Sequence, residues 1–226
     1  MTDPRARLTA LQQRIDQACR AAGRDPDEVT LLAVSKTRDA AAIRALHQAG
    51  ARHFGENYLQ EALEKQPALT DLPLVWHFIG PIQSNKTREI AGHFDWVHSL
   101  DRIKIARRLD DQRPASLPPL NVCLQVNIDD ETSKSGVSLA ELPALVEAVT
   151  ALPRLQWRGL MAIPRADAPD HNRAAFRTLA MTLSQWRHTI PGLDTLSMGM
   201  SDDFEVAIAE GATLIRIGTA LFGPRN

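Results

Sequence analysis

The feature of this sequence that most constrains its fold is a short apolar run that returns eight times along the chain. The runs are rich in valine, isoleucine and leucine, and they predict strands at 29–34, 52–55, 74–79, 96–99, 121–128, 155–163, 193–198 and 213–222. A helical segment follows every strand except the last, and an amphipathic helix at 5–22 precedes the first. Strands that alternate with helices form a parallel sheet. Eight such units predict a closed (β/α)8 barrel, or TIM barrel, with an open doubly wound sheet as the alternative.

The length of the chain and the lack of a linker indicate one barrel domain over residues 1–226, with the first helix leading into it. The two cysteines, Cys19 and Cys123, lie far apart in the sequence, which is typical of a reducing compartment. The first residues lack the apolar core of a signal peptide, and no run of about 18 apolar residues is present. We therefore expect a cytoplasmic protein with no membrane segment.

The charges exclude one class of partner. The 26 Lys and Arg residues nearly balance the 27 Asp and Glu residues, for a net charge of −1. Proteins that bind nucleic acid usually carry a basic excess. A basic cluster in and after the helix at 101–111 is interrupted by acidic residues, so we interpret it as a solvated face. Its members are Arg102, Lys104, Arg107, Arg108 and Arg113. No nucleic-acid partner is expected.

One lysine stands where barrels of this kind place their chemistry, at the carboxyl end of a strand. Lys36 follows an apolar strand that ends at Val34. Desolvation between apolar walls lowers the pKa of an ammonium group and gives a nucleophilic amine, which a Schiff base requires. From position alone, a lysine that extends from the strand end into solvent is the simpler interpretation.

The last strand adds an arginine and a candidate anion site. Strand alternation puts its two isoleucines on one face and Arg216 and Gly218 on the other. With the isoleucines toward the helices, Arg216 points into the barrel, either toward a ligand or toward a structural ion pair with an acidic residue at 202–205. Gly218 and Thr219 fall where barrels often hold a phosphate, and Ser201 adds a hydroxyl at the same end.

Together these residues indicate a ligand with an aldehyde, a phosphate and a ring nitrogen. Lys36 would take the aldehyde, Arg216 would meet the ring nitrogen, and the region of Ser201, Gly218 and Thr219 would hold the phosphate. Pyridoxal 5′-phosphate (PLP) has all three features. A barrel enzyme that acts on a sugar phosphate, with Lys36 as an aldolase-type amine, is an alternative use of the same residues.

Seven sequence blocks, in order along nearly the whole chain, closely resemble the pyridoxal phosphate homeostasis protein family. The blocks are Ala33–Thr37, Phe54–Tyr58, Trp76–Lys86, Ser133–Gly136, Gly159–Pro164, Ser197–Asp203 and Arg216–Thr219. The resemblance implies a monomeric barrel like the N-terminal domain of alanine racemase, with PLP on Lys36. It also implies that Asn57 and Met161 lie beside the cofactor ring, that Arg216 meets the pyridine nitrogen, and that Ser201, Gly218 and Thr219 bind the phosphate.

The arginine favours a carrier over an enzyme. A permanently charged guanidinium at the pyridine nitrogen disfavours a protonated ring and weakens the cofactor as an electron sink. Racemases of similar fold take a second base from a further domain, which we do not expect in this chain. We therefore predict a protein of PLP homeostasis that stores PLP reversibly on Lys36 and delivers it to apo-enzymes. A PLP-dependent amino-acid racemase, with Tyr58 as a candidate base, is the alternative.

A second lysine is a candidate for cofactor exit. Lys134 lies in the polar loop at 129–136, after the fifth predicted strand. At that end of the barrel its amine could accept the aldehyde or guide its release, and a solvated loop lysine is the alternative interpretation.

Overall fold

In a computed structural model that describes residues 3–129, 135–165 and 169–223, eight parallel strands close into a barrel. The strands pair in chain order, and the last pairs with the first. They are β1 (Thr30–Val34), β2 (His53–Glu56), β3 (Val75–Phe78), β4 (Trp96–Leu100), β5 (Leu120–Gln125), β6 (Leu155–Met161), β7 (Thr195–Ser197) and β8 (Leu214–Ile217). The barrel predicted from the sequence is confirmed, and the alternative of an open doubly wound sheet is wrong.

Helices surround the strands. They are α1 (Pro4–Ala21), α2 (Ala40–Ala49), α3 (Leu59–Lys65), α4 (Thr87–His93), α5 (Ile103–Gln112), α6 (Leu142–Thr150), α7 (Pro169–Arg187), α8 (Phe204–Ala209) and α9 (Thr219–Phe222). Short 3-10 turns occur at Pro26–Glu28, Gln66–Leu69 and Ser84–Lys86. The leading helix α1 packs beside α2, α8 and α9, which closes the helical ring over the junction of β8 and β1.

Local sequence signals define several helix ends. The Asp39 side chain accepts a hydrogen bond from the Ala42 N–H at the start of α2, and Gly50 ends that helix with a positive φ of 124°. Before α6, the Ser138 and Glu141 side chains bond to each other and to each other's backbone N–H, the reciprocal pattern of a capping box.

The end of the barrel differs from the prediction of one long strand at 213–222. Strand β8 stops at Ile217, and the residues that follow turn into α9. The carbonyl of Gly218 accepts hydrogen bonds from the N–H groups of Leu221 and Phe222, so the chain coils at this glycine. The last strand therefore also has a helix after it, as the other strands do.

The two faces of the strands differ in chemistry. Ile215 and Ile217 are fully buried in the apolar layer between strands and helices, as predicted. Arg216 lies between them in sequence and points into the barrel, where it contacts Ser197 on β7. The interior of the barrel is therefore partly polar, and Arg216 is one of the polar side chains inside it.

One expectation for a charged residue is wrong. Arg113 is not part of a solvated face, because it is 2% exposed and donates to the carbonyls of Ala91, Phe94 and Pro118. Asp203 stands at the N-cap position of α8, but its carboxylate makes no capping bond to that helix. Among the described residues, no helix has the length and apolar character needed to cross a membrane.

Candidate functional site

A cleft of about 670 Å³ lies at the carboxyl ends of β1, β2 and β8. This volume is within the range of small-molecule sites, roughly 300–1,000 Å³. The cleft is lined by Val34, Lys36, Asn57, Ile79, Ile163, Met200, Ser201, Asp202, Arg216, Gly218, Thr219 and Ala220. Six of the seven residues predicted to bind the cofactor therefore share one cleft, although they come from opposite ends of the chain.

Two described residues with predicted roles, Met161 and Tyr58, are not among those lining the cleft. Met161 is the last residue of β6 and is fully buried, with Gln125 and Ser197 as its partners in the sheet. Lys134, the candidate for cofactor exit, lies outside the described residues. Tyr58, the candidate base, is 56% exposed at the start of α3 and does not line the cleft.

The turn that carries Lys36 has an unusual backbone. Thr37, the next residue, has a φ of 64°, which is costly for a β-branched side chain. The Thr37 N–H donates to a carboxylate oxygen of Glu61 on α3, and the Ser35 N–H donates to the carbonyl of Gly55. Bonds on both sides thus hold the turn that presents Lys36 to the cleft.

A buried ion pair lies directly behind that turn. The Lys65 ammonium donates to Glu56 at 2.7 Å, to Glu61 at 2.7 Å and to the carbonyl of Ser35 at 3.0 Å. The Ser35 hydroxyl also donates to Glu56. Burial raises the pKa of the Glu56 carboxyl, while Lys65 and the Ser35 hydroxyl act in the opposite direction. This network fastens the end of β1 to β2 and α3.

Asn57 brings an unpartnered polar atom to the cleft. Its side-chain oxygen is buried and has no hydrogen-bond partner among the described residues. The backbone around it is fixed, because the Ile79 N–H donates to the carbonyl of Glu56. Gly80 also packs so closely that an added Cβ would lie 2.0 Å from the Asn57 carbonyl oxygen. The Asn57 backbone is therefore held in place, and its side-chain oxygen has bonding capacity to spare.

Arg216 is buried, yet its hydrogen bonds to described residues go to neutral oxygens. Its guanidinium donates to the carbonyl of Ser197 at 2.6 Å, to the Ser197 hydroxyl at 2.8 Å and to the carbonyl of Ala162 at 3.0 Å. The structural ion pair considered from the sequence is not found among the described residues. Burial lowers the pKa of Arg216 to about 10, against the opposing effect of Asp203. The group stays a cation at neutral pH.

The part of the cleft that follows β8 suits an anion. Gly218 and Thr219 begin α9, whose first N–H groups have no acceptor within the helix. At Gly218 an added Cβ would lie 3.4 Å from the carbonyl oxygen of Val34, so the start of α9 lies close to the end of β1. Ser201, in the turn before α8, lines the same cleft. Phosphate oxygens match this combination of amide and hydroxyl donors.

Sequence reasoning missed the groups that support the site from behind. The only sequence signal at Lys65 is that it follows Glu61 by four residues, a spacing that is common on exposed helices. His53, His77 and His98 have no metal-ligand spacing, so sequence reasoning gave them no role. One sequence signal was present, since each of those histidines lies on one of three successive strands.

The fold and the residues of the cleft define a barrel of the alanine racemase N-terminal domain class. The family described as alanine racemase, N-terminal domain, matches residues 6–226. A solved alanine racemase from Corynebacterium glutamicum shares this fold, with a TM-score of 0.66 at 19% identity over 96% of this chain and 62% of that one.

Two nearer relatives narrow the class. A pyridoxal phosphate homeostasis protein of Pseudomonas aeruginosa is 66% identical over 220 residues, covering 97% of this chain and 94% of that protein. PipY of Synechococcus elongatus PCC7942, solved with PLP bound, is 41% identical with a TM-score of 0.83, covering 97% of this chain and 100% of that one. The chain belongs to the pyridoxal phosphate homeostasis protein family.

Proposed function

We propose that the cleft binds PLP and that the chain holds the cofactor for PLP homeostasis. The observation that carries this proposal is the convergence of Lys36, Asn57, Arg216, Ser201 and the Gly218–Thr219 turn on one cleft. The membership in the family and the PLP bound by PipY support it.

The residues present fit this cofactor. The buried Asn57 oxygen lacks a partner among the described residues, so a ligand can supply one. Three hydrogen bonds to described oxygens leave Arg216 with two of its five N–H donors to spare. The start of α9 and the Ser201 hydroxyl offer donors to a phosphate.

Each group has a proposed role in holding the cofactor. PLP supplies an aldehyde that condenses with an amine, with loss of one water, and that a second amine can take over. Lys36 provides the amine, and Arg216 donates to the ring nitrogen. Asn57 and Met161 lie beside the cofactor ring, and Met161 does so from beneath the residues that line the cleft. Ser201, Gly218 and Thr219 hold the phosphate.

The same groups favour storage and delivery over turnover. A guanidinium donor beside the ring nitrogen keeps that nitrogen unprotonated, which suppresses loss of the substrate's α-proton. Among the described lining residues, Asp202 carries the only carboxylate, and it is exposed. We therefore propose that residues 1–226 act as one monomeric PLP-binding domain in the cytoplasm, from which apo-enzymes receive the cofactor.

Absorbance and mass spectrometry test the binding proposal. The purified protein mixed with PLP should gain a visible band, and borohydride should fix the cofactor on Lys36. We expect Lys36→Ala to lose both signals, whereas Lys104→Ala, on the outer helix α5, should keep them. Modification of another lysine with Lys36 unmodified would contradict the proposal.

A transfer assay tests the role. PLP-loaded protein should reactivate a PLP-dependent apo-enzyme in the presence of a scavenger that consumes free PLP, and the Lys36→Ala protein should not. Exchange of an amino-acid α-proton at about 1 s⁻¹ or faster would instead favour the racemase alternative.

A further inference from the structure

Three histidines and one serine form a continuous line of hydrogen bonds inside the barrel, which we call the histidine chain. His53 Nδ1 lies 2.9 Å from His77 Nε2, and His77 Nδ1 lies 2.9 Å from His98 Nε2. His98 Nδ1 lies 2.7 Å from the Ser197 hydroxyl, which accepts from Arg216 at 2.8 Å. Because β4 and β7 are not neighbours in the sheet, the bond from His98 to Ser197 crosses the barrel interior.

The histidine chain reaches from one end of the barrel to the other. His53 is the first residue of β2, so it lies at the amino-terminal end, where it is partly exposed. His77, His98 and Ser197 are buried, and Arg216 lines the cleft at the carboxyl-terminal end. His77 also stacks on Trp96 with ring centroids 5.4 Å apart, which restricts its rotation.

All three rings are neutral at neutral pH. Burial holds the pKa of His77 well below its ordinary value and lowers that of His98 to about 3, with the Arg216 charge acting in the same direction. Burial also lowers the pKa of His53, against the opposing effect of Asp95. A neutral imidazole carries one N–H, so each ring can donate at one nitrogen and must accept at the other.

Arg216 then decides the direction of every bond. A guanidinium can only donate, so the Ser197 hydroxyl accepts from it and gives its own proton to His98 Nδ1. His98 therefore donates from Nε2 to His77, and His77 donates from Nε2 to His53. In the reverse order the Ser197 hydroxyl would accept twice, and its proton would have no acceptor among the described residues.

We propose that the histidine chain is a polarised hydrogen-bond chain that positions Arg216 and couples its guanidinium to His53 at the opposite end of the barrel. Ser197, His98, His77 and His53 are then positioning residues. When the acceptor at His53 is lost, the proton on each remaining ring of the histidine chain can occupy either nitrogen. This change extends to Ser197, which accepts two of the hydrogen bonds of Arg216. The inference rests on the proposed function only where it takes Arg216 as a cofactor-binding group.

Nitrogen-15 NMR of the cofactor-free protein tests the polarity without reference to PLP. Two-bond correlation spectra at pH 7 should show His53, His77 and His98 as neutral rings with the proton on Nε2. The exposed His93 and His188 serve as references in the same spectrum. A proton on Nδ1 of His77 or His98, or a mixture of the two forms, would overturn the proposal.

Substitution of His53 tests the coupling. His53→Leu removes the acceptor for His77, so we expect His98, two bonds away, to show a mixture of tautomers. We also expect the dissociation constant for PLP to rise about fivefold, the equivalent of one ordinary hydrogen bond. In His53→Gln the amide oxygen can accept from His77, and both properties should return toward those of the parent.

An unchanged His98 tautomer in the folded His53→Leu variant would contradict the proposed coupling between His53 and Arg216. Should that variant fail to fold, Ser197→Ala provides the same test from the other end, with Ser197→Thr as the variant that keeps the hydroxyl. If neither the parent protein nor any variant binds PLP, the proposed function is contradicted. The tautomers of the cofactor-free protein would still decide whether the histidine chain is polarised.

Discussion

At the scale of single residues, the candidate site depends on buried charges that lie behind the cleft. Lys36 faces the ligand side, but its turn is held by Lys65, which is 7% exposed, and by Glu56, which is fully buried. A buried ion pair adds little net stability, yet removal of one partner leaves the other charge uncompensated. The pair therefore fixes the geometry of the Lys36 turn more than it stabilises the fold.

Replacing Lys65 should be costly because Glu56 would keep a buried charge without its partner. We expect Lys65→Met to lower the free energy of unfolding by roughly 3–5 kcal/mol, measured by urea denaturation. Adding Glu56→Gln should restore part of the loss, because the amide can still accept from Ser35. The exposed Lys104→Met serves as the control, with a change within about 0.5 kcal/mol. A single Lys65→Met variant as stable as the control would contradict this account.

At the scale of strands and helices, glycines allow neighbouring strands to approach closely. Gly159 on β6 lies against Thr195 on β7, and an added Cβ would come within 1.7 Å of the Thr195 carbonyl oxygen. The Gly159 carbonyl also accepts from the indole of Trp157 on the same strand at 2.7 Å. The pairing of β6 with β7 thus requires glycine at this position.

Gly159→Ala should separate β6 from β7 and destabilise the barrel. We expect a loss of about 3 kcal/mol or more in the free energy of unfolding, since the clash is with backbone. Gly92→Ala, in α4 with no atom within 4 Å of the added Cβ, should instead raise stability by about 0.5–1 kcal/mol. Thermal and urea unfolding of both variants measure the contrast. Equal effects at the two positions would show that close strand approach is not the constraint.

At the scale of the whole molecule, the barrel interior links stability to pH. His77 and His98 are neutral when folded and take up protons when the chain unfolds. Because their folded pKa values are lowered, the unfolded state binds more protons at acidic pH. Stability is then fully present above the unfolded value of about 6.5 and is lost as pH falls toward the folded values.

Urea denaturation of the cofactor-free protein between pH 7.5 and pH 5 should show this dependence. Each buried histidine contributes up to about 1.4 kcal/mol of lost stability per pH unit below about 6.5. His98→Asn should make the slope shallower even where it lowers stability at every pH. His93→Gln, at an exposed position, should leave the slope as it is. A parent slope of zero between pH 6 and pH 5 would refute buried neutral rings.

The sequence by itself determined the order of the elements and the residues at the carboxyl ends of the strands. Apolar runs, the Asp39 and Gly50 helix ends and the alternation around Arg216 act locally, so a pattern in the chain suffices to reveal them. The turn of α9 was missed because the strand pattern continues past Gly218 in the sequence, and only the closed barrel shows where pairing stops.

Only the tertiary structure decided how buried polar groups pair. His98 meets Ser197 from 99 residues away because barrel closure brings distant strands together in a dry interior, whereas Lys65 meets Glu56 because α3 folds back against the end of β2. Arg113 was predicted as exposed because two of its carbonyl partners, Ala91 and Phe94, lie in and just after α4 and are not its neighbours in the sequence. A buried polar group must find a partner, but which partner it finds depends on strand register and closure, which no local pattern encodes.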